Sequence, residues 1–271
     1  MSAPAATLVG VGSLYRRRLA VTTRTLGGIV GQIATPILWV LIVAPALDAA
    51  LGGFDPTVDY FTFVAVGQVV FLVPFTAMFN GLDVIFDRDA GITRALVVAP
   101  IARRTITIAN ALGVLTVALV QVALILGLAV ARGAELHTSA PGLGWFVAAV
   151  ALLTLGIYGL AEILALGVGR QEAYGPLIPA VGVTPWFVSG ALFPIGVLPA
   201  GIEHLALVSP WTHAVAVVRH GIMEDSESGL TEIWHLGSET AMAGLSTAVL
   251  ALFAAVTLPS AVRSFRRSTT A

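Results

Sequence analysis

The stretch FDRDAGITRALVVAPIARR, residues 86–104, gathers Asp87, Arg88, Asp89, Arg94, Arg103 and Arg104 into a chain that is 57% hydrophobic and only 11% charged. The fold class turns on what flanks this island of charge. On each side lies an apolar run, 61–79 and 106–130, and roughly 20 apolar residues suffice to cross the hydrocarbon of a bilayer. The mean hydropathy is +0.94, and 14 basic plus 15 acidic residues cannot give 271 residues a soluble shell. The sequence therefore reads as an all-α polytopic membrane protein, with 86–104 on one side of the bilayer.

Six segments meet the length requirement: 28–47, 61–79, 106–130, 143–168, 177–198 and 241–262. A seventh run at 205–218 is too short for a crossing and contains Pro210, Thr212 and His213, which fits a re-entrant or interfacial helix. Cytoplasmic loops retain positive charge. With both termini inside, twelve arginines fall on the cytoplasmic side and only Arg132 and Arg219 fall outside. Six crossings in a single domain, 1–271, is the expected layout. The N-terminal run is too long for an export signal and is read as a retained first helix. Ahead of it, residues 7–24 place Leu8, Val11, Tyr15, Leu19 and Thr22 near one helix face, with arginines around the rest. Such a helix can lie on the inner leaflet.

Composition also excludes chemistry. Without cysteine there is no thiolate metal site and no cysteine nucleophile. Without lysine there is no Walker A cradle, whose lysine reaches the nucleotide phosphates. No Ser/His/Asp set falls on facing spans. The five histidines lie in outer segments without close metal-ligand spacing, so no metal site is expected.

In the cytoplasmic segment 82–105, Gly91 interrupts the charged run, Ile92, Ala95, Leu96 and Val98 form a short apolar ridge, and Pro100 stops the helix. A ridge with charged flanks can dock into another protein's groove. It can equally be a polar loop anchored at the membrane surface. The outer segment 189–222 holds Gly190, Phe193, Pro194, Gly196, Pro199, Pro210, Trp211 and Arg219. Ser209-Pro210 reads as a helix start. Irregular backbone at membrane depth is tolerated only where it is buried in protein or lines a cavity, so this segment is either a gate over an exit path or a structural plug. Glu162 lies deep in the fourth span, where a carboxylate usually faces a cavity or a partner. It is a candidate pathway residue, a packing partner of Arg170 or another polar group, or a proton-coupling site. Gln68 and Gln121 are further candidate pathway residues, with Gln32, Asn80 and Asn110 as interhelical hydrogen-bonding groups.

The run D-R-D-A-G-I-T-R-A-L-V-V-A-P-I-A-R at 87–103 resembles a pattern of the ABC-2 type permeases of ABC transporters. There an acidic-Arg-acidic-x-Gly run leads to Leu-x-x-(Thr/Ser)-Pro-Ile/Val-x-Arg. Ala99 stands where Thr or Ser is commoner. Residues 189–222, SGALFPIGVLPAGIEHLALVSPWTHAVAVVRHGI, resemble the family's second element, and the short chain is most similar to drug-resistance and nodulation-type exporters. The resemblance implies a permease that binds no cofactor itself. ATP and magnesium would be held by a separate ATP-binding subunit, present in two copies. A second permease copy or a homologous permease would complete the route, and membrane lipids, not nucleic acid, would surround it. It further implies a coupling helix in 82–104, with Asp87, Arg88, Asp89, Gly91, Arg94, Leu96, Pro100 and Arg103 meeting the ATPase, and a re-entrant helix pair in 189–222. The cargo expected is an amphipathic drug, lipid or glycolipid-like compound, exported across a bacterial cytoplasmic membrane. The rival reading is a secondary transporter driven by an ion gradient through Glu162.

Overall fold

The computed structural model describes residues 3–24, 26–51, 59–98, 102–199, 201–223 and 228–268, with side chains from residue 10 onward except at 23–29, 32, 51 and 97. Every regular element among the described residues is helical. Five stretches are long and apolar enough to cross a membrane: Ile33–Ala50, Tyr60–Asp89, Arg103–Ala131, Ala140–Val168 and Glu239–Ser268. The first is assembled from α2 (Leu26–Leu38), a π-helical turn (Trp39–Val43) and α3 (Ala44–Leu51), after an N-terminal α1 (Ala3–Arg24).

The central helix is α4 (Tyr60–Asp89), started by Asp59, whose carboxylate accepts from the Thr62 N–H at 3.2 Å. It is buried along most of its length and packs against α3 and the later helices α6 (Arg103–Ala131), α7 (Ala140–Val168) and α9 (Leu177–Gly182). Thirty residues make a rod of roughly 45 Å, well beyond the hydrocarbon thickness. Residues 80–89, expected to lie past the end of the span, continue it as helix. After a turn at Ala90 and Gly91 come α5 (Ile92–Val98) and α6 (Arg103–Ala131).

α7 (Ala140–Val168) begins on a Ser139 side-chain cap and ends on Gly169, whose positive φ of 68° ends the helix in the left-handed conformation. α14 (Glu239–Ser268) runs parallel to α7. Gly156 faces Phe253 and Gly159 faces Thr257 and Leu258, so both residue numbers rise together. Two parallel neighbours require the chain between them to return to the opposite end of the bundle.

That return is where the structure departs from the expected fifth span. Residues 177–198 do not form one helix. They form α9 (Leu177–Gly182), α10 (Thr184–Phe187), a turn and a 3₁₀ segment (Ile195–Val197), after the short α8 (Gln171–Tyr174). Pro176, Pro179 and Pro185 withdraw backbone donors, and Gly190 turns with a φ of 82°. The segment nonetheless follows α4 along its axis. Tyr174 Oη donates to the Met78 carbonyl at 2.8 Å, Gly182 meets Phe75, and Trp186 Nε1 donates to the Gly67 carbonyl at 2.9 Å. Ala191 closes on Gly67 as well. α11 (Ile202–Val208) and α12 (Pro210–Ile222) then pair, with α12 buried against α7 and α14, and α13 (Leu230–Trp234) leads into α14.

Large apolar side chains cover the outside of the bundle: Val120, Leu124 and Val130 on α6, Leu143 and Val147 on α7, Leu252 and Val256 on α14. So much exposed apolar surface belongs against lipid. α1 differs from the expected surface helix. It packs along α6, and Leu14 and Arg18 are its buried residues, the latter turned into the protein rather than toward headgroups. The cause is that α4 presents carboxylates to it.

Candidate functional site: the coupling end, the outer cavity and the helix between them

At its C-terminal end, α4 offers Asn80, Asp83 and Asp87 to α1. Arg18 Nη2 donates to both Asn80 Oδ1 and Asp83 Oδ2, and its stem lies across Gly113 of α6. Arg17 Nη2 reaches Asp87 Oδ1 at 3.2 Å. Asp87, expected to meet an ATPase, is thus held by its own chain. The Arg88 guanidinium stands at Gly169, against the C-terminus of α7, where the helix dipole favours a cation. Asp89 and Arg94 are exposed on either side of Gly91, which takes a φ of 72°.

Leu96, expected to fill a partner's groove, is partly buried. It packs inward on a small cluster of Leu14, Ile106, Ala109 and Phe265, so it fastens α5 to the bundle instead of projecting from it. Val98 projects, 86% exposed. Arg103 donates through Nη1 to the Arg266 carbonyl at 3.0 Å, tying α6 to the end of α14. Pro100 lies outside the described residues. Arg88, Asp89, Arg94 and Val98 are among the side chains exposed around this turn.

Within the bundle, Thr76 Oγ1 donates to Gln121 Oε1 at 2.7 Å, a buried bond between α4 and α6. Gln68 is fully buried, and neither of its amide atoms has a hydrogen-bond partner among the described residues. Glu162 is also buried. Its Oε1 accepts from Thr107 Oγ1 at 3.0 Å, and Tyr158 lies one turn away on the same helix. Thr107 and Tyr158, rather than Arg170, are thus polar neighbours of Glu162.

At the outer end, Arg219 is 3% exposed and donates to three carbonyls: Gly190 at 2.9 Å, Ala191 at 2.9 Å and Phe63 at 3.3 Å. Its guanidinium carbon lies 3.4 Å from the centre of the Phe63 ring. From α13, Glu232 Oε2 accepts the Ile195 and Gly196 N–H groups at 2.8 and 3.3 Å. These two charges hold the 189–197 turn over a cavity of about 170 Å³, lined also by Pro194, Thr212 and Val215. Phe193 and Pro199 are exposed, Pro210 opens α12, and Trp211 is buried beside Phe253. The outer residues thus divide into a stapled turn (Gly190, Pro194, Arg219) and a helix anchor (Pro210, Trp211). Glu232 was not foreseen, because an acidic residue in a long polar segment carries no local signal. Asp83 could have been paired with α1, since it stands four residues before Asp87 on one helix face.

A family model described as "ABC-2 type transporter" matches residues 10–223. A putative transport permease ycf38 of Porphyra purpurea is 26% identical over 82% of this chain and 76% of its own length. The ycf38 permease of Cyanophora paradoxa is 24% identical over 83% and 78%. Nodulation protein J of Rhizobium meliloti (strain 1021) is 26% identical over 76% of this chain and 79% of its own.

Proposed function

The chain belongs to the ABC-2 type transporter family, and from that premise we propose that it is the membrane-spanning permease of an ATP-driven exporter. A separate ATP-binding subunit holds ATP and magnesium and presses on the turn formed by Arg88, Asp89, Arg94 and Val98. Two permeases form the route between them, and the 171–191 segment supplies a sixth crossing in interrupted form. α11 and α12 make the re-entrant pair at the outer leaflet. The cargo is an amphipathic drug, lipid or glycolipid-like molecule, matched to a bundle with few fixed charges, and the setting is a bacterial cytoplasmic membrane.

One observation carries the mechanism. α4 is a single buried helix with the coupling turn at its inner end and the outer staple at its first turns, through Phe63 and Gly67. A rigid rod transmits a push on Asp89 to the carbonyl that Arg219 holds. Close-packed interiors pass such displacements on rather than absorbing them. Alternating exposure of the route follows from the outer turn moving when the inner turn does.

The test is co-purification of the tagged permease with its ATP-binding subunit from native membranes in mild detergent. Asp89→Arg and Arg94→Glu are the variants of choice, because neither breaks the Arg17–Asp87 pair. An ATPase retained by the native chain and lost from both variants supports the reading. Retention by the variants removes the coupling role from this turn, and an absent ATPase removes the reading itself.

A further inference from the structure

Arg103, Arg263, Arg266 and Arg267 together line a cleft of about 300 Å³ at the cytoplasmic ends of α6 and α14, and no carboxylate of the described residues lines it. Its frame is held by the hydrogen bond from Arg103 to the Arg266 carbonyl. Arg103 is also the first residue of α6, a helix whose N-terminus has no side-chain cap, so the positive end of that helix adds to the field of the guanidinium groups. We propose that this cleft binds the phosphate headgroup of an anionic phospholipid of the inner leaflet.

The chemistry of both walls leads there. Guanidinium forks pair with phosphate oxygens through parallel hydrogen bonds, and four of them around one cleft match a group with several anionic oxygens. Basic pockets at the cytoplasmic ends of membrane helices hold acidic headgroups for this reason. The ligand must also carry an apolar part. Arg267, Arg263, Val256 and Leu252 are spaced four, seven and four residues apart, so they share one face of α14. Val256 and Leu252 on that face are 57% and 66% exposed. An anionic head with an apolar continuation along the helix is a phospholipid, whereas an acidic protein surface or a free phosphate would use only the arginines. Such a site steadies the junction of α6 and α14 independently of any ATPase partner.

The permease alone is purified, equilibrated with mixed micelles holding equal amounts of phosphatidylglycerol and phosphatidylcholine, and the retained lipids are counted by native mass spectrometry. The expected result is preferential retention of phosphatidylglycerol, falling about fivefold per arginine removed in Arg263→Gln and Arg267→Gln. Arg263→Lys should keep most of it, and Arg132→Gln at the outer side all of it. Monodisperse elution identifies variants that still fold, and Arg263→Gln alone serves if the pair does not. Equal retention of both lipids by the native chain, or unchanged preference in the folded glutamine variants, overturns the proposal. Displacement of the lipid by millimolar inorganic phosphate also overturns it, in favour of a free-phosphate site.

Discussion

Glu162 lies six residues from the end of α7, roughly 9 Å of helix, with one carboxyl oxygen bonded and the other, Oε2, without a hydrogen-bond partner among the described residues. Thr107 satisfies one carboxyl oxygen, which is how buried polar groups in membrane bundles are ordinarily accommodated. A glutamine keeps that acceptor and cannot exchange protons. Glu162→Gln should therefore transport at close to the native rate, with stability within about 1 kcal/mol. Loss of transport in a stable Glu162→Gln protein would instead favour the gradient-driven mechanism. Arg219 shows what a sequence discloses at this scale. Its position in a family-like motif marked it as part of the outer element, yet nothing in the sequence named its three carbonyl partners. Those partners come from α4 and from a turn nearly thirty residues upstream, and only the closed fold brings them together. Leu96 is the converse case. It belongs to an apolar ridge on a short helix, and such a ridge looks the same whether it faces a partner or its own bundle.

Among the elements, α1 gains most from the structure. Two of its arginines, Arg17 and Arg18, hold the end of α4 that leads into the Gly91 turn, and the two contacts differ in depth. Arg18 is 8% exposed and serves two acceptors, whereas the Arg17 and Asp87 side chains are 36% and 24% exposed. A half-exposed pair contributes about 1 kcal/mol or less, and Asp83 is itself 43% exposed. The larger effect expected of Arg18 therefore comes from its buried stem across Gly113 and its bond to Asn80. Arg18→Ala should accordingly lower the thermal melting point of the purified permease far more than Asp87→Asn does. Melting curves in one detergent decide it, and equal effects would remove the distinction between clamp and surface pair. Long apolar runs placed the starts of α4, α6, α7 and α14 in the sequence to within three residues, because periodicity and length suffice for such helices. α4 and α14 nonetheless run on past the ends of their apolar runs. The 177–198 segment was legible as apolar and of crossing length. Its breaks depend on whether each proline and glycine is absorbed by packing, and α4 absorbs Pro74 within a continuous helix while Pro179 and Pro185 lie in short ones.

For the molecule as a whole, arginine distribution and helix direction make one argument. α7 and α14 are parallel, and Arg103 meets Arg266 at the end where Arg88 meets Gly169. One end of the bundle thus collects the arginines of α1, α4, α6 and α14, as a cytoplasmic face should. Five crossings would put the two ends of the chain on opposite sides and expose Arg263, Arg266 and Arg267 to the outside. The six crossings proposed above would avoid this, with the interrupted 171–191 path beside α4 supplying the sixth. The absence of native cysteine permits a direct test in intact cells with a membrane-impermeant thiol reagent. Glu172→Cys and Ser268→Cys should react only after the membrane is opened, while Pro199→Cys and Ser238→Cys should react from outside. If Glu172→Cys and Pro199→Cys label from the same side, the segment dips and returns rather than crossing. α14 would then have to enter from the cytoplasmic side, against its parallel packing on α7, so a single pair of labels separates the two topologies.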